Sequence, residues 1–283
     1  MDKNKLSEIL QDEIVATSPL SGGCIANTQK VTTKMGKEYA VKTASHNKMF
    51  INEANGLREL RKANAIRVPE VVYADESCLV IEFIKEGSRN SGFFKKFGAE
   101  MAHLHQFKSD KFGFFEDNFI GSTPQKNIPE GNESVSWIDF YWNKRLRYQF
   151  DLAERNGYAD NQFKKLFIKL EEKIPKILEG SDEPPVLLHG DLWSGNYMCD
   201  ENGNAVIIDP AVYYGHREAD LAMTKLFGGF GSDFYSSYHE TFPLKPGHEH
   251  REGVYILYHV MNHLNLFGTG YYRQALSLMG KYL

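Results

Sequence analysis

The order of the predicted secondary structure constrains the fold of this chain most. Up to about residue 84 the sequence favours short strands and one longer helix, whereas beyond residue 92 helical spacing of apolar side chains dominates. A run of strands followed by a run of helices is typical of α+β folds. The order predicts two lobes, an antiparallel sheet with one helix at 1–84 and a mainly helical lobe at 85–283.

The individual patterns behind this order are short and bounded by turn residues. The predicted strands are residues 14–20, 25–33, 38–43, 70–74, 79–81, 186–188 and 205–208. The predicted helices are residues 1–12, 48–63, 94–107, 137–156, 160–178, 216–228 and 252–267. Residues 113–132 are rich in turn formers and predict a loop, and Met35-Gly36 and Asn202-Gly203 predict turns between strands.

Composition excludes several classes of protein. The 283 residues exceed what one core usually organises, which agrees with two lobes. A net charge of -4 gives no electrostatic basis for binding nucleic acid. No apolar run approaches the roughly 18 residues of a membrane span, and the first residues lack the apolar stretch of a signal peptide. Three scattered cysteines predict neither a disulfide framework nor a zinc site. A cytoplasmic protein without membrane contact is expected.

The strongest chemical signal is the run LLHGDLWSGN at residues 187–196, followed by AVIIDP at 205–210. Each run places acidic or amide side chains at the end of a short apolar strand. Phosphoryl transfer needs one carboxylate for the attacking hydroxyl, with an Asn and a second carboxylate for Mg²⁺. Asp191, Asn196 and Asp209 supply this set, and the spacing matches a kinase catalytic loop with Gly190 in place of Arg. The alternative is that they are ordinary turn residues.

A glycine-containing turn between the first two strand patterns is the second signal. Gly22, Gly23 and Cys24 are predicted to cover the phosphates of ATP, because glycine lets backbone N–H groups approach phosphate oxygens closely. Glycine turns are common, so this signal is weak when taken alone.

The third signal is the sequence YAVK at residues 39–42, which resembles the kinase V-A-I-K. Lys42 is predicted to contact the α- and β-phosphates, with a solvated surface lysine as the alternative. An acid on the helix at 48–63 should orient it. The apolar stripe on that helix favours Glu53, and Glu59 is predicted to be solvated.

With these residues in place, the chain resembles the fructosamine kinase (ketosamine 3-kinase) family, which has the aminoglycoside phosphotransferase and protein-kinase-like fold. The resemblance extends over nearly the whole chain, and the run from His189 to Asn196, including Trp193, is its most specific part. The other segments that carry it are SGGCI at 21–25, DNFIGSTPQ at 117–125, Trp137 with Phe140-Tyr141, YGHREAD at 214–220 and NHLNLFG at 262–268. The family often has three glycines where this chain has Ser21-Gly22-Gly23.

The resemblance implies a substrate that the residue patterns do not. It implies an ATP- and Mg²⁺-dependent transfer of phosphate to the 3-hydroxyl of a ketosamine, such as fructosamine or ribulosamine, free or on a glycated protein. Since the product is unstable, the family is regarded as a deglycation repair system. The residue patterns alone reach only an enzyme that transfers phosphate from ATP to a hydroxyl.

The remaining site residues follow from the kinase interpretation. Asp191 is predicted to be the catalytic base. Glu82, Phe83 and Ile84 are predicted to form the hinge that meets adenine. Trp193 and Glu218 are predicted to contact the substrate, with a packing role as the alternative for Trp193. His189 and Asp220 are expected to support the catalytic loop.

Two rival functions stay open from the sequence. One is another small-molecule kinase of the same fold, of the aminoglycoside or choline kinase type. The other is a pseudokinase that binds nucleotide without turnover, although Lys42, Asp191, Asn196 and Asp209 are all present.

Overall fold

The computed structural model describes residues 3–20, 27–44 and 48–283, and its first part forms the predicted sheet. The elements of this part are α1 (Lys3–Leu10), β1 (Ile14–Pro19), β2 (Asn27–Thr33), β3 (Glu38–Thr43), α2 (Met49–Lys62), β4 (Val71–Ala74) and β5 (Cys78–Glu82). The strand order is β1-β2-β3-β5-β4, and each neighbouring pair is antiparallel. The turn between β2 and β3 uses Gly36 at a φ of 79°, in the left-handed region that favours glycine.

The two faces of the sheet pack into different hydrophobic clusters. Along β5 the side chains alternate between faces, as in any strand. Cys78 and Val80 lie in a small cluster with side chains from α1, β1, β2 and β3. Leu79 and Ile81 lie in the large cluster, which also contains the buried side of α2 and the core of the helical part. The helix α2 is therefore packed continuously with the C-terminal part of the chain.

The rest of the chain is mainly helical, as predicted. Its helices are α3 (Phe93–Leu104), α4 (Trp137–Tyr141), α5 (Tyr148–Arg155), α6 (Asn161–Ile177), α7 (Glu218–Leu226), α8 (Ser232–Thr241), α9 (His248–Phe267) and α10 (Tyr272–Gly280). A π-helical turn (Trp142–Arg147) joins α4 to α5, so that the predicted helix at 137–156 is one continuous rod. Its strands are β6 (Asn118–Ile120), β7 (Thr123–Gln125), β8 (Val186–Leu188), β9 (Tyr197–Cys199), β10 (Ala205–Ile207) and β11 (Tyr213–Gly215).

Several short elements were not predicted. The expected loop at 113–132 contains the hairpin β6–β7. The turn at Asn202-Gly203 joins β10 to β9, whereas β8 pairs with β11. The helices α8 and α10 also lacked a recognised pattern. Strands of three residues are too short for an alternating pattern to appear, and only their tertiary pairing defines them.

No helix within the described residues has both the length and the apolar character that crossing a bilayer requires. The predicted cytoplasmic location stays a prediction.

Candidate active site

The turn after β8 carries Asp191 and is built around a glycine. Gly190 has a φ of 83°, and a Cβ at this position would lie 1.9 Å from the carbonyl oxygen of Ala211. Only glycine fits such a close approach of two backbone segments. The backbone of this turn therefore requires glycine at position 190, where the kinase motif has Arg.

Asp220, at the start of α7, fixes this turn. Its two carboxylate oxygens accept hydrogen bonds from the backbone N–H groups of His189 and Gly190, at 2.7 and 2.8 Å. His189 in turn donates from Nε2 to the carbonyl oxygen of Ile208, at 2.9 Å. Both predicted supporting roles are confirmed. Buried His105, which the sequence did not single out, lies with Nε2 3.2 Å from Asp220 Oδ2.

The carboxyl group of Asp191 has an amide as its partner. Asn196 Nδ2 donates to the backbone oxygen of Asp191 at 2.7 Å and to its Oδ2 at 3.1 Å. Burial raises the pKa of Asp191 to about 7; the hydrogen bond from Asn196 opposes this shift, and the charges of Asp209 and Asp220 add to it. A carboxyl group with a pKa near neutrality is well suited to take up a proton.

Lys42, on β3 of the sheet, lies between two carboxylates. Its Nζ is 2.6 Å from Glu53 Oε1 and 2.5 Å from Asp209 Oδ1. The predicted choice of Glu53 as the partner of Lys42 is confirmed. Burial by itself would lower the pKa of Lys42, but the two carboxylates outweigh it and raise that pKa above its ordinary value. Lys42 therefore keeps its positive charge.

The prediction that Glu59 is solvated is wrong. Glu59 is buried, and its carboxylate accepts hydrogen bonds from the Tyr214 hydroxyl at 2.8 Å and from Lys62 Nζ at 2.7 Å. This side of α2 packs against the segment after Asp209. The approach is close, since a Cβ on Gly56 would lie 3.2 Å from the side chain of Val212. Glu59 thus holds α2 to β11.

The predicted metal ligands have suitable chemistry, and Asn196 lies next to the backbone of Asp209. Asp209 has a φ of 54°, and Asn196 Nδ2 lies 3.5 Å from its backbone oxygen. Because Nδ2 of Asn196 is directed at Asp191, its Oδ1 points the other way. An amide oxygen and a carboxylate are the hard oxygen donors that Mg²⁺ prefers. Within the described part of the chain, at this site as elsewhere, no group of three or more His, Cys, Asp or Glu side chains could hold a metal.

The predicted hinge begins at Glu82, the last residue of β5, and continues through Phe83 and Ile84. Glu82 donates its N–H to Glu70, Phe83 donates its N–H to Glu38, and Ile84 is buried. Arg67, which the sequence did not single out, donates to the Glu82 carboxylate at 2.6 Å.

The same arginine connects the sheet to the helical part. Arg67 also pairs with buried Asp200 in the turn between β9 and β10, and its carbonyl oxygen accepts from the N–H of Ile207 at 3.1 Å. The sequence signal was only an isolated arginine before Pro69, which a surface residue would explain equally well.

The predicted glycine turn cannot be compared with the structure. Gly22, Gly23 and Cys24 lie outside the described residues, and their role stays a prediction. The strands that flank them are paired, since Leu20 donates its N–H to the carbonyl oxygen of Thr28 at 3.0 Å.

Trp193 is partly exposed and lies across its own loop. A Cβ on Gly195 would come within 2.4 Å of the Trp193 ring, so glycine is required for this arrangement. The ring makes an edge-to-face contact with Phe227, with 5.6 Å between centroids. A partly exposed aromatic ring therefore lies two residues after Asp191 in the sequence.

The structure corrects the substrate role predicted for Glu218. This side chain is buried, and its two oxygens accept from Arg251 Nε and Nη2 at 2.8 and 2.7 Å. A bidentate pair of this kind engages both oxygens of the carboxylate. Glu218 joins α7 to α9 and is a structural residue.

A buried amide network behind Asp209 escaped the sequence analysis. Asn118 Nδ2 donates to the carbonyl of Val212 at 2.8 Å, and Gln125 Nε2 donates to that of Ala211 at 2.9 Å. The hydroxyl of Tyr258 completes the network by donating to Gln125 Oε1. The available signal was the DNFIGSTPQ segment, whose amides fix the backbone that follows Asp209.

Known proteins resemble this chain over nearly its whole length. The sequence model of one family, described as fructosamine kinase, matches residues 2–283. The chain belongs to the fructosamine kinase family. A protein-ribulosamine 3-kinase of the chloroplast from Oryza sativa subsp. indica is 41% identical over 98% of this chain and 82% of the relative. Membership of a kinase family implies that ATP is the phosphoryl donor.

Solved structures agree with this assignment. A crystal structure of a candidate fructosamine-3-kinase from Thermobifida fusca superposes with a TM-score of 0.88 at 29% identity, covering 98% of this chain and 96% of that one. The choline kinase of Streptococcus pneumoniae superposes with a TM-score of 0.67 at 15% identity, covering 99% and 98%. The latter likeness shows the fold alone, which is the protein-kinase-like fold predicted from the sequence.

Proposed function

We propose that this chain is an ATP-dependent ketosamine 3-kinase whose catalytic base is Asp191. The observation that carries the proposal is the convergence of Lys42, Glu53 and Asp209 opposite the Asp191–Asn196 pair. Such a set supplies a fixed cation for phosphates, donors for a metal and a carboxylate for a hydroxyl proton. The lobes proposed at 1–84 and 85–283 then contribute one side of the cleft each.

In the proposed reaction, Asp191 accepts the proton of the attacking hydroxyl while the hydroxyl oxygen bonds to the γ-phosphorus and ADP leaves. Asn196 orients the base, because its amide holds one carboxylate oxygen and leaves the other for the substrate. General-base assistance of this kind contributes roughly 10²–10⁴-fold to a rate.

The nucleotide side follows from the charges on the sheet. Lys42 contacts the phosphates and is oriented by Glu53, while Gly22, Gly23 and Cys24 cover them. The backbone of Glu82, Phe83 and Ile84 meets adenine. Asn196 and Asp209 would hold Mg²⁺, which supplies neutralisation of phosphate charge when it is bound.

The substrate class follows from the family. The family is named for fructosamine and the rice relative for ribulosamine, and both compounds are ketosamines. A ketosamine has a sugar-derived chain with C–H faces and a secondary amine that is protonated near neutral pH. The Trp193 ring suits both features, because aromatic rings stack on apolar faces and attract cations. Free ketosamines and glycated proteins are both candidate substrates.

A coupled ATP assay tests the proposal, with ribulosyl-lysine and fructosyl-lysine derivatives beside kanamycin and choline. Turnover with the ketosamines and none with the other two is expected, with the new phosphate on the 3-hydroxyl by NMR. Turnover of kanamycin or choline alone would point to a different small-molecule kinase. Nucleotide binding without turnover of any compound would instead indicate a pseudokinase.

A further inference from the structure

A chain of aromatic rings extends from the catalytic loop across the surface. Trp193 contacts Phe227 with 5.6 Å between centroids, and Phe227 contacts His263 at 5.1 Å. His263 contacts Phe267 at 5.5 Å and Tyr271 at 5.1 Å. We name these five side chains the aromatic ledge.

The outer part of the aromatic ledge is open to solvent. The side chains of Phe227 and Phe267 are 37% and 60% exposed. The residues after Phe227 are Gly228 and Gly229, both in the left-handed region, and neither has a side chain that could cover the ring. Burying Phe227 and Phe267 against a partner would therefore remove apolar surface from water.

The aromatic ledge is continuous with the proposed substrate site. Trp193 belongs to the loop that presents Asp191, and its carbonyl oxygen accepts from the N–H of Asn196 at 2.9 Å. Phe227 directly follows α7, which carries Asp220, and His263 lies on α9, which Arg251 joins to α7. The same two helices thus hold the catalytic turn and the ledge in a fixed relation.

The ledge carries π surface without a competing positive charge. His263 Nδ1 lies 2.7 Å from the carbonyl oxygen of His259, so Nδ1–H is the donor. Burial lowers the pKa of His263 below its ordinary value, and that hydrogen bond opposes the shift without reversing it. A neutral imidazole beside four aromatic rings suits a chain with a cationic amine and methylene groups.

We propose that the aromatic ledge binds the polypeptide that flanks a glycated lysine while its ketosamine reaches Asp191. This inference rests on the proposed function, since a ketosamine in the site must direct its amine substituent outward. The ring contacts cover three steps of about 5 Å each, which an extended polypeptide spans with about four or five residues. A ketosamine without flanking residues offers no polypeptide to the outer rings of the ledge.

Steady-state kinetics with two substrates test the ledge. The probes are a ten-residue peptide with one central ribulosyl-lysine, and Nα-acetyl-ribulosyl-lysine without flanking residues. For Phe267→Ala we expect the KM of the peptide to rise about 3- to 10-fold, with kcat and the KM of the small compound within about twofold. Phe227→Ala, nearer the base, should raise both KM values, and that of the peptide more.

Ile168→Ala is the matched control, because Ile168 on α6 is 58% exposed and lies outside the ledge. It should leave both KM values unchanged. Equal effects of Phe267→Ala on the two substrates, or none on either, would overturn the ledge while leaving the kinase assignment standing. Absence of turnover with either substrate in the unaltered protein would overturn the proposed function and the ledge together, and is thus a separate outcome.

Discussion

The two sides of the proposed active site hold their charged groups in opposite ways. On the sheet side, Lys42 lies within 2.6 Å of two carboxylates, those of Glu53 and Asp209. On the helical side, the carboxyl group of Asp191 has the neutral amide of Asn196 as its partner, while Asp209 and Asp220 add negative potential. The positively charged Lys42 thus has two negatively charged partners, whereas the carboxyl group of Asp191 has no positively charged partner.

This difference in charged partners suits Lys42 and Asp191 to their different proposed roles. Two carboxylates keep Lys42 protonated near neutral pH, which suits its proposed contact with phosphate. Burial without a cation raises the pKa of Asp191 to about 7, so that it can gain and lose a proton near neutrality. The same physical factor, burial, thus has opposite outcomes that depend on the partner.

The largest expected effect is the loss of activity when the proposed base on the helical side is removed. For Asp191→Asn we expect kcat to fall about 10²–10⁴-fold, because Asn cannot accept the hydroxyl proton. The fold should persist, because an amide replaces a carboxyl group of similar shape. Steady-state kinetics and circular dichroism measure the two effects, with exposed Asp233→Asn as the control. A kcat near that of the unaltered protein would remove Asp191 from the mechanism.

On the sheet side, Lys42→Met should lower both ATP affinity and stability. Without the ammonium group, the carboxylates of Glu53 and Asp209 face each other unpaired, and breaking a buried ion pair in this way costs about 3 kcal/mol. ATP affinity should fall about 100-fold, since truncating one partner of a buried charge pair costs about 2–5 kcal/mol. Calorimetric titration and urea unfolding measure these effects. Exposed Lys37→Met should change neither, and unchanged ATP binding by Lys42→Met would contradict the proposal.

Asp220→Asn should loosen the turn that carries Asp191 without removing a proposed substrate contact. The amide offers one acceptor oxygen, so the N–H of His189 or of Gly190 loses its partner, at about 1–3 kcal/mol. We expect kcat to fall about tenfold, the equivalent of about 1.4 kcal/mol, with KM values within about twofold. A rise in KM at constant kcat would show that Asp220 acts in binding instead.

A further expected effect concerns pH and stability in the metal-free protein. The pKa of Asp191 is about 7 in the folded chain and 3.8 ordinarily, so the folded state keeps its proton where the unfolded state has lost it. This group therefore lowers stability progressively as pH rises from about 4 to about 7. The difference in unfolding free energy, unaltered protein minus Asp191→Asn, should fall over this window. A difference that rises with pH, or stays flat, would rule out the raised pKa.

Sequence reasoning succeeded where a motif fixed both residue and position. The partner of Lys42 was identified as Glu53 because the apolar stripe on α2 placed it inward. The same reasoning left Glu59 in solvent, although Tyr214 from a distant strand covers it. Glu218 was taken for a substrate contact, since nothing in its neighbourhood of the sequence indicates pairing with Arg251, 33 residues further on. Partners that distant in the chain leave no local pattern.

Periodicity and short motifs are local properties, and they were enough to predict the longer strands and helices, the proposed catalytic loop and Lys42. The charged partner of Glu218 and the neutral partner of Asp191 are known only from tertiary contacts. Tertiary contacts also place Arg67 and Gln125 beside the site and join the five rings of the aromatic ledge in one series of contacts. These features depend on contacts between distant parts of the chain, and the free energy of such contacts is defined only when the chain is folded.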